Sequence, residues 1–353
     1  MNFIEKISKF KLPFFTPMTL CFDMGTSNTR IGVLGKGITL NEPTFIGINT
    51  KDKSYIFFGQ EAKMIVGKTP EFLKVARPVI HGVVSDFDAQ VALIKKFIEK
   101  SVSPYLNSYK IIKPPLRAFA SVPHIATEIE RKAVEEVLYK LGLSEVFLLE
   151  KSLVIGSALK MNIFSHKPRL IVDLGGGLIE LAIISGGGIV AEKTLRNGGE
   201  NMSHVLANYI YLKYGIILGE NTCEEIKLSL LNFVNLDKTM IVRGKSLEDG
   251  LPKSVRIKSS DVKEALLNNF IQIVDAIKEL IEISPPEVVD EIYKSGITLT
   301  GGIASVAGLD RYFAQELKID VIVPENGASA TISGLLNLGK NEQEIMKICI
   351  PKI

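Results

Sequence analysis

The stretch CFDMGTSNTRIGV, Cys21 to Val33, carries apolar residues into Asp23, turns through Gly25, Thr26, Ser27, Asn28 and Thr29, and becomes apolar again. The stretch LIVDLGGGLIELAII, Leu170 to Ile184, repeats that order: strand, Asp173, glycine-rich bend, returning strand. One hairpin repeated roughly 150 residues later points to two related halves facing each other.

A bend of small residues after a strand turns successive backbone N–H groups toward one concavity, which suits an anion. Glycine allows positive φ and close approach, and Thr and Ser add hydroxyls. An aspartate just before the bend repels phosphate, so it makes sense with Mg2+ between them, often through water. Two such bends from opposing halves would hold a nucleotide's phosphates. A single bend is weak evidence against an ordinary hairpin.

A third glycine element is ITLTGGIASVAGLD, Ile297 to Asp310, where a strand runs into Gly301-Gly302 and a helix is expected soon after. It reads either as a plain strand–helix turn or as a loop letting a base or ribose approach the backbone. Rival phosphate motifs fail. AKMIVGKT has Ala62 at the first glycine position of a P-loop, with Pro70 directly after it, and DLGGGLIE contains no GxGxxG.

Apolar spacing predicts helices over 60–67, 86–101, 127–141, 150–161, 201–214, 221–231 and 260–283, with a closing helix from about 327. Strands are expected at 116–122, 146–149 and 297–299, with hairpins at 19–34 and 170–194 and a strand-rich stretch at 239–257. Alternating strands and helices give α/β layers, and 353 residues suffice for two domains. At 46% hydrophobic and 23% charged the chain is globular. A net charge of +3 is too small to argue for nucleic acid. Cys21, Cys223 and Cys349 form no CxxC pair and the four histidines no HExxH, which argues against a disulfide framework or zinc.

The sequence holds no uninterrupted run of 18 apolar residues, the length that would be expected of a bilayer span. The opening MNFIEKISKFKLPFF is not a secretory signal, because Glu5, Lys6, Lys9 and Lys11 interrupt it. At helical spacing Phe3, Ile4, Ile7 and Phe10 share an arc of about 120°, with Lys6 and Lys9 around it and Pro13 as its end. Too short to be a stable helix in water, the segment suits an anionic membrane surface. The alternative is a tail that is disordered or packed on its own domain. A second membrane candidate is 101–115, where Tyr105, Leu106, Tyr109, Ile111 and Ile112 lie among Lys100, Lys110 and Lys113; some of these also suit the start of the next strand.

The three glycine elements, in this order and spacing, resemble those of the actin/Hsp70/sugar-kinase ATPases. NEPTFIGI, GKTPEFLKVARPVIHGVVSDF, SVPHIATEIERKAV, EVFLLE, VDLGGG and TLTGG resemble, more narrowly, segments of the MreB-type bacterial actins, from about residue 19 to 340. The resemblance implies an actin-like ATPase fold: two related, RNase H-like domains, each with a smaller subdomain, around a cleft for ATP and Mg2+. It divides the chain into a membrane-contact segment 1–17, a first domain 18–160 (small subdomain about 35–75) closed by a helix at about 327–350, and a second domain 161–326 (small subdomain about 198–258). It implies self-assembly into filaments at the inner face of the cytoplasmic membrane, which maintain cell shape through membrane-bound cell-wall synthesis proteins. By position, Thr26, Ser27 and Asn28 match the first phosphate loop and Gly175, Gly176 and Gly177 the second. Asp23 and Asp173 match the metal-side carboxylates, and Glu224 and Lys227 the ribose-holding helix. Gly301, Gly302, Ile303 and Ala304 match the adenosine loop, and Glu130 the acid that positions the attacking water.

The chain departs from that family's pattern at three places. Leu178-Ile179 replace two threonines of the second loop, Glu150-Lys151-Ser152 replace EEP, and Ile303 stands where a third glycine is usual. Thr127-x-x-Glu130 also reads as a capping box, which would give Glu130 a structural role instead. Binding is expected to be intact and hydrolysis slow. The other readings are a soluble Hsp70-type chaperone ATPase, for which a chain ending at Ile353 leaves no substrate-binding domain, a small-molecule kinase of the same superfamily, and a nucleotide-binding scaffold without hydrolysis.

Overall fold

The computed structural model describes residues 17–107, 109, 113–234 and 236–351. The first hairpin is formed by β1 (Met18–Met24) and β2 (Asn28–Val33), and β3 (Gly37–Pro43) pairs antiparallel beyond β2. On the other side of β1 lie β4 (Leu116–Val122) and then β5 (Glu145–Glu150), both parallel. Every residue from Thr19 to Met24 is buried, as befits a central strand covered on both faces.

The second half repeats this topology. β6 (Arg169–Leu174), β7 (Ile179–Ser185) and β8 (Gly188–Leu195) form an antiparallel meander, and β9 (Ile297–Thr300) and β10 (Val321–Ile322) add in parallel beside β6. The sheet orders, β3-β2-β1-β4-β5 and β8-β7-β6-β9-β10, are the same path traced twice. Each sheet carries a small three-stranded sheet. One comprises Ile46–Asn49, Tyr55–Phe58 and Leu73–Ala76; the other comprises Ile216–Ile217, Thr239–Ser246 and Pro252–Lys258.

Helix starts follow local chemistry. Asp86 caps the helix Phe87–Ser101 by accepting from the Ala89 N–H at 3.0 Å, and Ala89, Leu93, Ile94 and Phe97 face the core. Two helices, Lys151–Ala158 and Ala330–Leu338, lie where the halves join. A core there gathers Cys21 and Phe119 from the first sheet, Ile171, Ala182 and Ile184 from the second, and Val154, Ile332 and Leu335 from the two helices. At their crossing Gly334 lets the backbones meet: a Cβ built there would lie 1.9 Å from the Val154 carbonyl oxygen.

Several elements differ from expectation. The helix expected over 60–67 is Gln60–Met64. The hairpin 170–194 is three strands, because Gly186 (φ 59°) and Gly187 (φ 82°) make a further turn. β3 belongs to the main sheet, so the first small sheet begins at Ile46. The closing segment is a 3-10 turn, Gly327–Ser329, followed by two helices, Ala330–Leu338 and Glu342–Ile348. The helix expected soon after Gly301-Gly302 is Leu309–Leu317, which buries Leu309, Phe313 and Leu317 at four-residue spacing; the helix Pro286–Ser295 was not expected. Tyr105 and Leu106 are partly buried against the first core. Lys110, Ile111 and Ile112 lie outside the described residues, as do Phe3, Ile4, Ile7 and Phe10. Among the described residues no helix is long and apolar enough to cross a membrane.

Candidate functional site

The two Asp–Gly bends are the same structural unit. In the first, the Gly25 N–H donates to the Asn28 carbonyl at 3.1 Å; in the second, the Gly175 N–H donates to the Leu178 carbonyl at 3.0 Å. A Cβ at either glycine would lie 2.8 or 2.7 Å from that same carbonyl oxygen, so both positions require glycine for one reason. Asp23 stands opposite Arg30 in its hairpin, and Asp173 opposite Glu180 in the other.

The bends meet face to face. A Cβ on Gly176 would fall 2.0 Å from Ser27 Oγ, and one on Gly177 2.2 Å from Thr26 Oγ1. Thr26 also accepts from the Gly82 N–H at 2.8 Å. Around this junction lies a cleft of about 530 Å³, within the usual range for small-molecule sites. Asp23, Thr26, Ser27, Asn28, Asp173, Gly175, Gly176 and Gly177 line it, as do Glu224, Lys227, Gly301, Gly302 and Ile303.

The far wall comes from the helix Glu220–Leu230. Glu224 and Lys227 pair at 2.6 Å. The Lys227 ammonium donates to the Gly199 carbonyl at 2.5 Å and to Ser203 Oγ at 2.9 Å, while Ser203 donates to Glu224 at 2.8 Å. The ammonium is thereby fixed, and Glu224, about a third exposed, presents its carboxylate to hydroxyl donors. Gly301 holds φ 85° with its α-carbon against the Leu174 backbone, whereas a Cβ on Gly302 would meet nothing within 4 Å. That open face admits a flat group.

Two expected residues lie apart. Ala304 is buried in the second core and is not part of the cleft wall. Glu130 starts the helix Glu128–Lys140, where its carboxylate accepts from the Thr127 N–H at 2.8 Å and from Thr127 Oγ1 at 2.9 Å. The capping box is formed, and Glu130 does not line the cleft.

Three residues that sequence reasoning did not place complete the site. Lys151, at the first position of its helix, lies 2.6 Å from both Asp173 and Glu180. Burial works against its charge, and Asp173, Glu180 and Asp23 outweigh that, holding it above the ordinary lysine value. Glu180 is pushed up by burial, with Lys151 opposing. At the cleft mouth Arg77 stacks on Phe45 and pairs with Glu200 at 3.3 Å and with Glu220. Arg77 and Phe45 belong to the first half and both glutamates to the second. The break from EEP was the only sequence signal for Lys151; Arg77 gave none.

The residues present suit a nucleotide: two glycine bends packed closely on each other, a fixed ammonium and an open glycine face. The expected Mg2+ does not fit as a ligand of the two aspartates. Asp23 already pairs with Arg30 at 2.9 Å, and Asp173 accepts from both Lys151 and Thr300. Among the described residues no three His, Cys, Asp or Glu side chains converge as a metal site.

Comparison with known proteins agrees with this architecture. The MreB/Mbl protein family matches residues 17–347. The chain is 35% identical over 306 residues to the cell shape-determining protein Mbl of Bacillus subtilis (strain 168), covering 86% of this chain and 90% of that protein. To the cell shape-determining protein MreB of Escherichia coli (strain K12) it is 33% identical over 321 residues, covering 89% and 91%. The crystal structure of MreB 5 of Spiroplasma citri bound to AMPPNP superposes with a TM-score of 0.87 at 30% identity, covering 94% of this chain and 98% of that one. The duplicated sheets are those of the actin-like fold, and the chain belongs to the MreB/Mbl family.

Proposed function

We propose that this chain binds ATP in the cleft between its two Asp–Gly bends and polymerises into filaments. The observation that carries the reading is the meeting of the bends, with Gly176 and Gly177 packed on Ser27 and Thr26. The phosphates lie along the backbone N–H groups of Thr26 to Asn28 in the first bend and of Gly176 and Gly177 in the second. The sugar faces Glu224 and Lys227, and the base lies on the open side of Gly302. Family membership favours a filament former over a chaperone or a small-molecule kinase. We propose further that the filaments lie on the inner face of the cytoplasmic membrane, attached through Phe3, Ile4, Ile7 and Phe10, and maintain cell shape by organising membrane-bound cell-wall synthesis proteins.

Hydrolysis in this reading is slow. Leu178 is buried beside Gly82 and Pro123: a Cβ placed on Gly82 would be 3.3 Å from Leu178 Cδ1 and 2.8 Å from Pro123 Cγ. An isobutyl group there excludes water and offers no hydroxyl. Losing one such group costs about 10- to 1000-fold in rate, by analogy with oxyanion donors. Glu130 reaches a water only by leaving its cap.

Electron microscopy and co-sedimentation of the full chain with ATP, with and without anionic liposomes, test the assembly. Filaments are expected with ATP, pelleting with liposomes is expected, and deletion of residues 2–15 is expected to abolish the pelleting alone. ATP-independent aggregates, or undiminished pelleting of the truncated chain, would refute the corresponding part. In the same preparations phosphate release should rise in Leu178→Thr; no gain over a brisk wild type would remove Leu178 as the cause.

A further inference from the structure

We propose that Lys151 is a built-in counter-cation for the bound triphosphate, so that this chain holds ATP with little dependence on a divalent metal. The inference rests on the ATP reading above and concerns the cation that accompanies the nucleotide.

The comparison of the two hairpins leads to it. In the first, the residue seven after the aspartate is Arg30, and the hairpin supplies its own cation at 2.9 Å. In the second, the matching residue is Glu180, so two carboxylates stand opposite each other in the ladder. Like charges facing across a sheet destabilise it. The chain resolves this from outside the hairpin, with Lys151 placed 2.6 Å from Asp173 Oδ2 and 2.6 Å from Glu180 Oε2.

Nothing local favours a lysine there. The first turn of a helix repels cations, and the helix Lys151–Ala158 has no acidic residue in that turn. Its carboxylate partners must therefore hold it. The side chain keeps 19% of its surface open and lines the cleft. A divalent ion beside Asp173 would have to displace this ammonium or lie against it, and like charges at such distances repel strongly.

Asp23, Asp173 and Glu180 face Arg30 and Lys151 at the junction of the bends. With Lys151 the floor under the phosphates carries one net negative charge; without it the excess doubles. With Lys151 neutralised, two opposed carboxylates would repel the triphosphate until a divalent ion intervened.

The test is ATP affinity of the full chain, measured by calorimetry in Mg2+ and again in EDTA, for wild type and for Lys151→Met. Wild-type affinity should change by less than about threefold between buffers. Lys151→Met should bind about tenfold or more weakly in EDTA than in Mg2+, since it leaves buried carboxylates uncompensated. A wild-type loss of tenfold or more in EDTA would overturn the inference while leaving the nucleotide reading intact. So would an equal, small ratio for the variant. The wild-type ratio decides the matter even if Lys151→Met fails to fold. Absence of ATP binding in both buffers would overturn the nucleotide reading, and the inference with it.

Discussion

Gly334→Ala should destabilise the protein by about 3 kcal/mol or more. Gly334 sits where the helix Ala330–Leu338 crosses the helix Lys151–Ala158, and a Cβ would lie 1.9 Å from the Val154 carbonyl oxygen and 2.7 Å from its carbon. Those are backbone atoms, so no rotamer change relieves the clash. The helices must separate, opening a core whose Ile332, Leu335 and Val154 are almost fully buried. Because this core joins the two sheets, the damage reaches both halves. Urea unfolding followed by circular dichroism should show a lowered midpoint. A loss under about 1 kcal/mol would mean that the helices are not so close.

Gly301→Ala should be nearly as harmful and should also remove nucleotide binding. Its φ of 85° is a region that side chains rarely adopt, and a Cβ would lie 2.4 Å from the Leu174 carbonyl oxygen and 2.8 Å from the Leu174 nitrogen. Strain of this kind costs about 1–3 kcal/mol before the clash is added. Leu174 directly precedes the second bend, so the displacement is transmitted to Gly175. Gly302→Ala is the informative control: its φ is −65° and its Cβ would enter open space. Stability should hold, with a gain of about 0.4–1 kcal/mol expected where glycine is not needed, while ATP affinity falls because the new methyl occupies the face assigned to the base. Denaturation and ATP titration of both variants separate the two effects. Unchanged affinity in Gly302→Ala would mean that the base lies elsewhere.

The parts of the site legible in the sequence are those whose geometry is local. Asp23 with Gly25, and Asp173 with Gly175, lie within one turn of chain, so residue order alone fixed the bends, and their repetition disclosed the duplicated sheet. Glu224 and Lys227 share a helix face, but only the family resemblance marked them as site residues. Lys151 was visible only as a break from a family pattern. Its contact with Glu180 depends on β5 and β7, which belong to different sheets, and on the helix between them. The link from Arg77 to Glu200 and Glu220 spans both halves and has no local pattern. Glu130 illustrates the opposite case: the Thr127 capping signal was local, and the box formed. The helix Pro286–Ser295 was missed because its apolar face is short and interrupted by charge.

The most direct test of the central claim is a structure of this chain with AMPPNP. The phosphates are expected between Gly25–Asn28 and Gly175–Gly177, the sugar beside Glu224 and Lys227, and the base against Gly302. A nucleotide bound outside this cleft, or with its phosphates away from either Asp–Gly bend, would contradict it.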